Sequence, residues 1–198
     1  MNQKNIAITI LFASLLFSGV FLWRSSGNEN VSSGTDYPKY SLNMTDEALA
    51  ARFEYLSAQG SNSCGGGKDV VNFLKEDGRM QGSCCGAMSL HSYEEQIEGL
   101  KKYSEYKIIP PDPYDIPVKW AKEMIEYNDQ TELNPEQQVL YDQAVDMSME
   151  GGPCCCKCWH WYAYEGLAKH LIINEGFSAE QIAEIWDLSD ACGGEHGH

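Results

Sequence analysis

Cysteine and histidine are the residues of this chain most able to do chemistry. There are eight of the first and five of the second. They are bunched rather than spread. Cys64 stands in SNSCGGGK, and Cys84-Cys85 in QGSCCGAM, with His91 shortly after. PCCCKCWHW carries Cys154, Cys155, Cys156, Cys158 and His160, and Cys192 opens CGGEHGH. Seven of the eight cysteines adjoin a glycine or another cysteine, and glycine lets a backbone fold tightly around a ligand. Thiolates suit soft ions: Cu(I), Zn(II) or an iron–sulfur cluster. In an extended turn alternate residues point the same way, so Cys154, Cys156 and Cys158 face one point. The expected ligands are therefore Cys154, Cys156 and Cys158, joined by Cys84 and Cys85 from an upstream loop and by the nitrogen of His160. Copper comes first, zinc second, and an iron–sulfur cluster is set aside. Cys155 faces away in this arrangement, able to pair with Cys64 or Cys192 or to serve a second metal. Met80, Met88, Met147 and Met149 flank the same clusters; thioethers ligate Cu(I), although core filling is their ordinary role.

Two other readings of the cysteines stay open. An even count fits a disulfide framework, for which eight cysteines allow 105 connectivities. Such frameworks usually space their cysteines out, however, and three in a row need separate distant partners. The other reading is thiol redox work. Cys155 and Cys158 have C-x-x-C spacing, but no βαβ pattern surrounds them. Nothing else in the chain points to catalysis. SCGGGKD lacks the spacing of a phosphate-binding loop, and no G-x-S-x-G or H-E-x-x-H occurs. Paired acids such as Glu94-Glu95 read as solvated helix faces. The readings are thus a metal-binding protein, a disulfide-stabilised domain that binds another envelope protein, or a thiol–disulfide oxidoreductase.

The elements that must position these residues are mostly helical. Of 198 residues, 43% are hydrophobic and 22% charged, as in a globular protein. With 29 acidic against 14 basic side chains the formal net charge is −15, which repels a phosphate backbone and argues against nucleic acid. Residues 6–23 are eighteen uncharged positions, about 27 Å as a helix, and lack a good cleavage site. The expectation is an uncleaved transmembrane anchor over 1–24 and a flexible Ser/Gly/Asn-rich tether over 25–43. A single helical, cysteine-rich domain over 44–198 then faces outside the cytoplasm. Within that domain Asp46 and Glu47 open a helix, and Val70 to Leu74 suggest a short second one. A third carries Ile97 and Leu100. Four prolines between Pro110 and Pro117 forbid helix and predict an extended surface loop. Beyond it, Val118, Ala121, Met124 and Ile125 share a helix face. Asn134 with Gln137, and Ser178 with Gln181, have capping-box spacing. Trp159, Ala163, Leu167 and Leu171 form an amphipathic helix closed by Gly176. The following AEQIAEIWDLSD carries four acids and no base, so the helix pair does not read as a DNA-binding motif.

Pro153-Cys154-x-Cys156-x-Cys158 resembles the signature of the PCYCGC-motif proteins of bacterial cell envelopes. Cys155 and Lys157 stand where that family has tyrosine and glycine, and the likeness covers about residues 150–192. It implies an envelope location and metal binding by the motif; it implies no reaction.

Overall fold

The computed structural model describes residues 44–193, all within one compact unit. Helix α1 (Asp46–Ser57) starts where Thr45 caps the Ala48 N–H, with Asp46 and Glu47 in its first turn as the helix dipole favours. A 3-10 segment, Gly67–Phe73, replaces the second helix expected from the sequence; its Val71 is buried, whereas Phe73 is 87% exposed. Strand β1 (Arg79–Gln81) precedes α2 (Leu90–Leu100), which Ser89 caps. Strand β2 (Asp115–Pro117) runs directly into α3 (Val118–Gln130), and α4 spans Pro135–Met147. Helix α5 (Trp159–His170) continues as one π turn, Leu171–Glu175, and ends on left-handed Gly176. The last helix is α6 (Ala179–Leu188). Both capping boxes are formed, with the Asn134 and Ser178 side chains accepting from the third helical N–H and the glutamine returning the bond.

Helices α3 and α5 pack closest. A Cβ at Gly166 would lie 2.0 Å from the Met124 carbonyl oxygen, so only glycine permits this crossing. The face carrying Val118, Ala121, Met124 and Ile125 is buried there against Ala163 and Leu167. Three tryptophans fill the core, and each indole N–H has an acceptor: Trp120 on the Ile108 carbonyl, Trp186 on the Tyr164 carbonyl, and Trp159 on Asn62 Oδ1. A buried aromatic thereby contributes its full apolar area without stranding a donor. A smaller cluster of Leu56, Tyr93, Ile97, Tyr114 and Ala191 packs beside it.

Two expectations are corrected. First, the architecture of transmembrane anchor plus helical domain does not stand as drawn. Among the described residues no helix is long and apolar enough to cross a membrane. The anchor at 6–23, the tether at 25–43 and the final His-Gly-His lie outside the described residues. The domain is mostly helical, as the sequence implies, with one short pair of strands among the described residues. Strands β1 and β2 pair antiparallel in a two-stranded ribbon, with Met80 opposite Ile116. Second, the proline-rich segment is free of helix, as expected, but it turns into strand β2 and is not superficial. Residues 112–118 are all buried, because Arg52 and Arg79 arrive from distant parts of the chain to meet Asp112 and Asp115. Tyr93 Oη donates to Asp112 at 3.1 Å, and Gln81 Nε2 to Asp115 at 3.0 Å. A carboxylate so surrounded can leave water. Asp112 still feels its burial most: desolvation pushes its carboxyl up to about 6, with Arg52 opposing and Asp115 adding.

Candidate metal centre

Four segments converge at one place, and few side chains hold them there. Asn62, buried two residues before Cys64, is the hub. Its backbone N–H donates to Gln81, its Nδ2 to the Gly82 carbonyl at 2.8 Å, and its Oδ1 accepts from Trp159 Nε1 at 3.2 Å. One residue thus ties the Cys64 loop both to the strand leading into Cys84-Cys85 and to the helix following Cys158. The 84–86 loop is joined in turn to the chain after α6. Cys84 N–H donates to the Ala191 carbonyl at 2.9 Å, and Gly86 N–H to the Cys192 carbonyl at 2.7 Å. Gly193 has φ +74°, and a Cβ there would meet the Gly86 carbonyl oxygen at 2.6 Å, so this pairing requires glycine. Asp190 Oδ1 accepts from the Cys192 N–H and sets the turn that aims Cys192 inward.

These ties bring all eight cysteines together as thiols, with no sulfur pair at bonding distance. Cys64 Sγ lies 3.2 Å from Cys85 and 3.4 Å from Cys156. Cys192 Sγ lies 3.1 Å from both Cys154 and Cys155 and 3.7 Å from Cys84. Cys84 and Cys85 are 3.8 Å apart. Sulfurs that share one ion at a metal–sulfur distance of about 2.3 Å stand about 3.8–4.0 Å from one another. The closest observed contacts, 3.1–3.8 Å, lie at or inside that spacing. Five sets of three sulfurs each lie within 4.8 Å: Cys64 with Cys84 and Cys85, Cys64 with Cys156 and Cys158, Cys84 with Cys154 and Cys192, Cys85 with Cys155 and Cys192, and Cys154 with Cys155 and Cys156.

The sequence-derived ligands Cys84, Cys85, Cys154, Cys156 and Cys158 all lie in this cluster. His160 lies beside Cys154, fully buried and stacked on Tyr164 at 4.2 Å, but enters none of the five sets. His91 is on the exposed face of α2, paired with Glu95. Met80 is core, whereas Met147 and Met149 are exposed. Sequence reasoning left out Cys64, Cys155 and Cys192. The signal was present in the glycine beside each of Cys64 and Cys192; what could not be read was which loops meet. Cys155 does not stand apart from its neighbours, because residues 154–158 curl as bends rather than running extended.

Crowded thiols perturb one another. Cys154 is held down to about 5, chiefly because the Cys158 thiol bonds to its sulfur, with Cys84 and His160 helping against Cys192 and burial. Cys192 is lowered by Cys154 and then Cys84. The donors go the other way: Cys84 is raised by bonding to Cys154, Cys158 and Cys192. Burial pushes Cys64 up to about 12 and raises Cys156 as well. At His160 burial opposes the proton, but Cys154, Cys158 and Asp190 outweigh it and raise the imidazole. Beside burial, the strongest influences on these thiols are other thiols, Asp190 and His160, not a lysine or an arginine. Full ionisation needs a cation from outside, and its binding would release protons.

The chain matches no protein-family model, no curated protein and no solved structure.

Proposed function

We propose that this domain binds monovalent copper, and that the centre uses all eight cysteines. The observation that carries the reading is the meeting of eight unbonded sulfurs, from four segments far apart in sequence, in sets of three within 4.8 Å. Thiolate-only surroundings favour soft ions. Zinc in protein sites takes four ligands in a tetrahedron, whereas each set here offers three sulfurs, a number Cu(I) accepts. The likeness to PCYCGC-motif envelope proteins accords with metal binding. A location outside the cytoplasm belongs to the same proposal and rests on that likeness.

The disulfide and oxidoreductase readings are weaker on geometry. Cys192 is equidistant from Cys154 and Cys155, and Cys64 has two close partners, so no unique pairing is laid down. Cys154 has the lowered thiol a nucleophile needs, but it is 1% exposed and closed off from a substrate.

The test is an anaerobic titration of reduced, metal-free protein with Cu(I) against a competing copper chelator, followed by a thiol count. Retention of copper with concurrent loss of reactive thiols is expected. Eight reactive thiols unchanged by copper, or a native protein with its cysteines in disulfides, would overturn the proposal.

A further inference from the structure

The five sets of sulfurs are not separate sites. Cys64, Cys84, Cys85, Cys154, Cys155, Cys156 and Cys192 each belong to two of them, and only Cys158 belongs to one. Any two sets that touch share a single sulfur. The sets Cys64-Cys84-Cys85 and Cys154-Cys155-Cys156 stand at opposite ends. Each touches the other three sets, and Cys192 links two of those three. This is the connectivity of triangles joined at their corners. A thiolate has lone pairs enough to bridge two metal ions, and corner-sharing is what bridging thiolates produce.

We infer that the centre is polynuclear: up to five Cu(I) ions, each held by three sulfurs, with seven cysteines bridging pairs of ions and Cys158 binding one. This rests on the copper reading above and adds to it the number of ions and the role of each sulfur. Charge supports a monovalent occupant. Eight thiols give up eight protons and five monocations return, leaving three negative charges; five divalent ions would leave the cluster positive. The spacing also speaks against an iron–sulfur cubane. There each cysteine takes a different iron and inorganic sulfide holds the irons apart, so the ligand sulfurs cannot sit in contact as Cys154 and Cys192 do. Access is graded. The set Cys85-Cys155-Cys192 has two exposed members, whereas Cys84-Cys154-Cys192 has two buried ones, so ions enter and leave by the Cys85–Cys155 side. A centre that takes several ions through one exposed edge is suited to storing or buffering copper rather than passing on a single ion.

The experiment uses the reduced, metal-free full chain, loaded with Cu(I) in the presence of a competing chelator and read by native mass spectrometry. X-ray absorption at the copper edge follows on the loaded form. Several ions per chain are expected, approaching five, with three sulfur neighbours per copper and a short copper–copper path. Saturation at one ion with sulfur neighbours only overturns the polynuclear inference and leaves copper binding standing; no retained copper overturns both. Substitutions then test the bridging. Cys158→Ser removes one ion from the saturating count, and Cys84→Ser or the exposed Cys155→Ser removes two. Equal losses from Cys158→Ser and Cys155→Ser would refute the assignment of bridging sulfurs. Circular dichroism of each metal-free variant confirms its helical fold, and the wild-type count decides the nuclearity without any variant.

Discussion

Among the described residues, the cluster around β2 and the cysteine centre are built on opposite plans. Around β2, Asp112 and Asp115 meet Arg52 and Arg79, with Tyr93 and Gln81 completing the bonds. Acid and base arrive together, so the fold carries its own counter-charge. At the cysteine centre eight acidic groups meet mainly one another, Asp190 and His160. The first cluster is complete as the polypeptide folds. The second, on the copper reading proposed above, is completed only by something the polypeptide does not encode. Burial of charge demands compensation in either case; the difference is whether the partner is a side chain or an ion.

Four outcomes break or sharpen that contrast. The largest belongs to the self-compensated cluster. Asp115→Ala leaves two guanidinium groups short of their shared carboxylate and should cost about 3–5 kcal/mol in denaturant unfolding. The loss should be the same with and without copper. Copper itself should act at the other cluster. At a free concentration a thousand times the dissociation constant, loading stabilises by about 4 kcal/mol, on the order of 10 °C in melting temperature. Scanning calorimetry before and after chelation reads this, and an unchanged melting temperature would erase the contrast.

A third outcome concerns pH. Asp112 in the fold titrates near 6, above its unfolded value of 3.8. Between about pH 4 and 6 the native state therefore holds a proton the unfolded chain has released, and this group's contribution to stability falls as pH rises through that window. Asp112→Asn should remove that slope, on the order of 2–3 kcal/mol across the window, as denaturation midpoints at several pH values would reveal. The smallest effect on stability is expected at the hub. Asn62→Ala deletes two buried side-chain bonds and should cost about 1–3 kcal/mol. Its effect on copper retention should be proportionately larger, since three cysteine-bearing segments lose their common tie.

The helical frame was largely legible in the sequence, because its signals are local. Capping boxes at Asn134 and Ser178, the glycine stop at Gly176, and the three-and-four spacing of Val118 to Ile125 each lie within a few residues of what they specify. Val139 shows the limit: apolar and in helical phase, it is nevertheless 54% exposed on α4, where Tyr141 and Ala144 face the core. The burial of Asp112 and Asp115 was not legible, since their arginines lie up to 63 residues away. Nor was the full centre. The ligand chemistry of Cys154, Cys156 and Cys158 could be read from their spacing. The inclusion of Cys64 and Cys192 depends on Asn62 and on the backbone pairing of 84–86 with 191–192, which no local pattern announces.

That pairing also has a kinetic consequence. Contacts at the centre span long stretches of chain: 92 residues between Cys156 and Cys64, and 108 between Cys84 and Cys192. Closing such loops costs entropy before any contact repays it, so they form late, after the neighbouring helices have paired. Early in folding the cysteines are separate short groups, none able to offer the complete set of sulfurs. If the centre binds copper as proposed, its full affinity appears only at the last step, and the finished fold, rather than the nascent chain, chooses the ion.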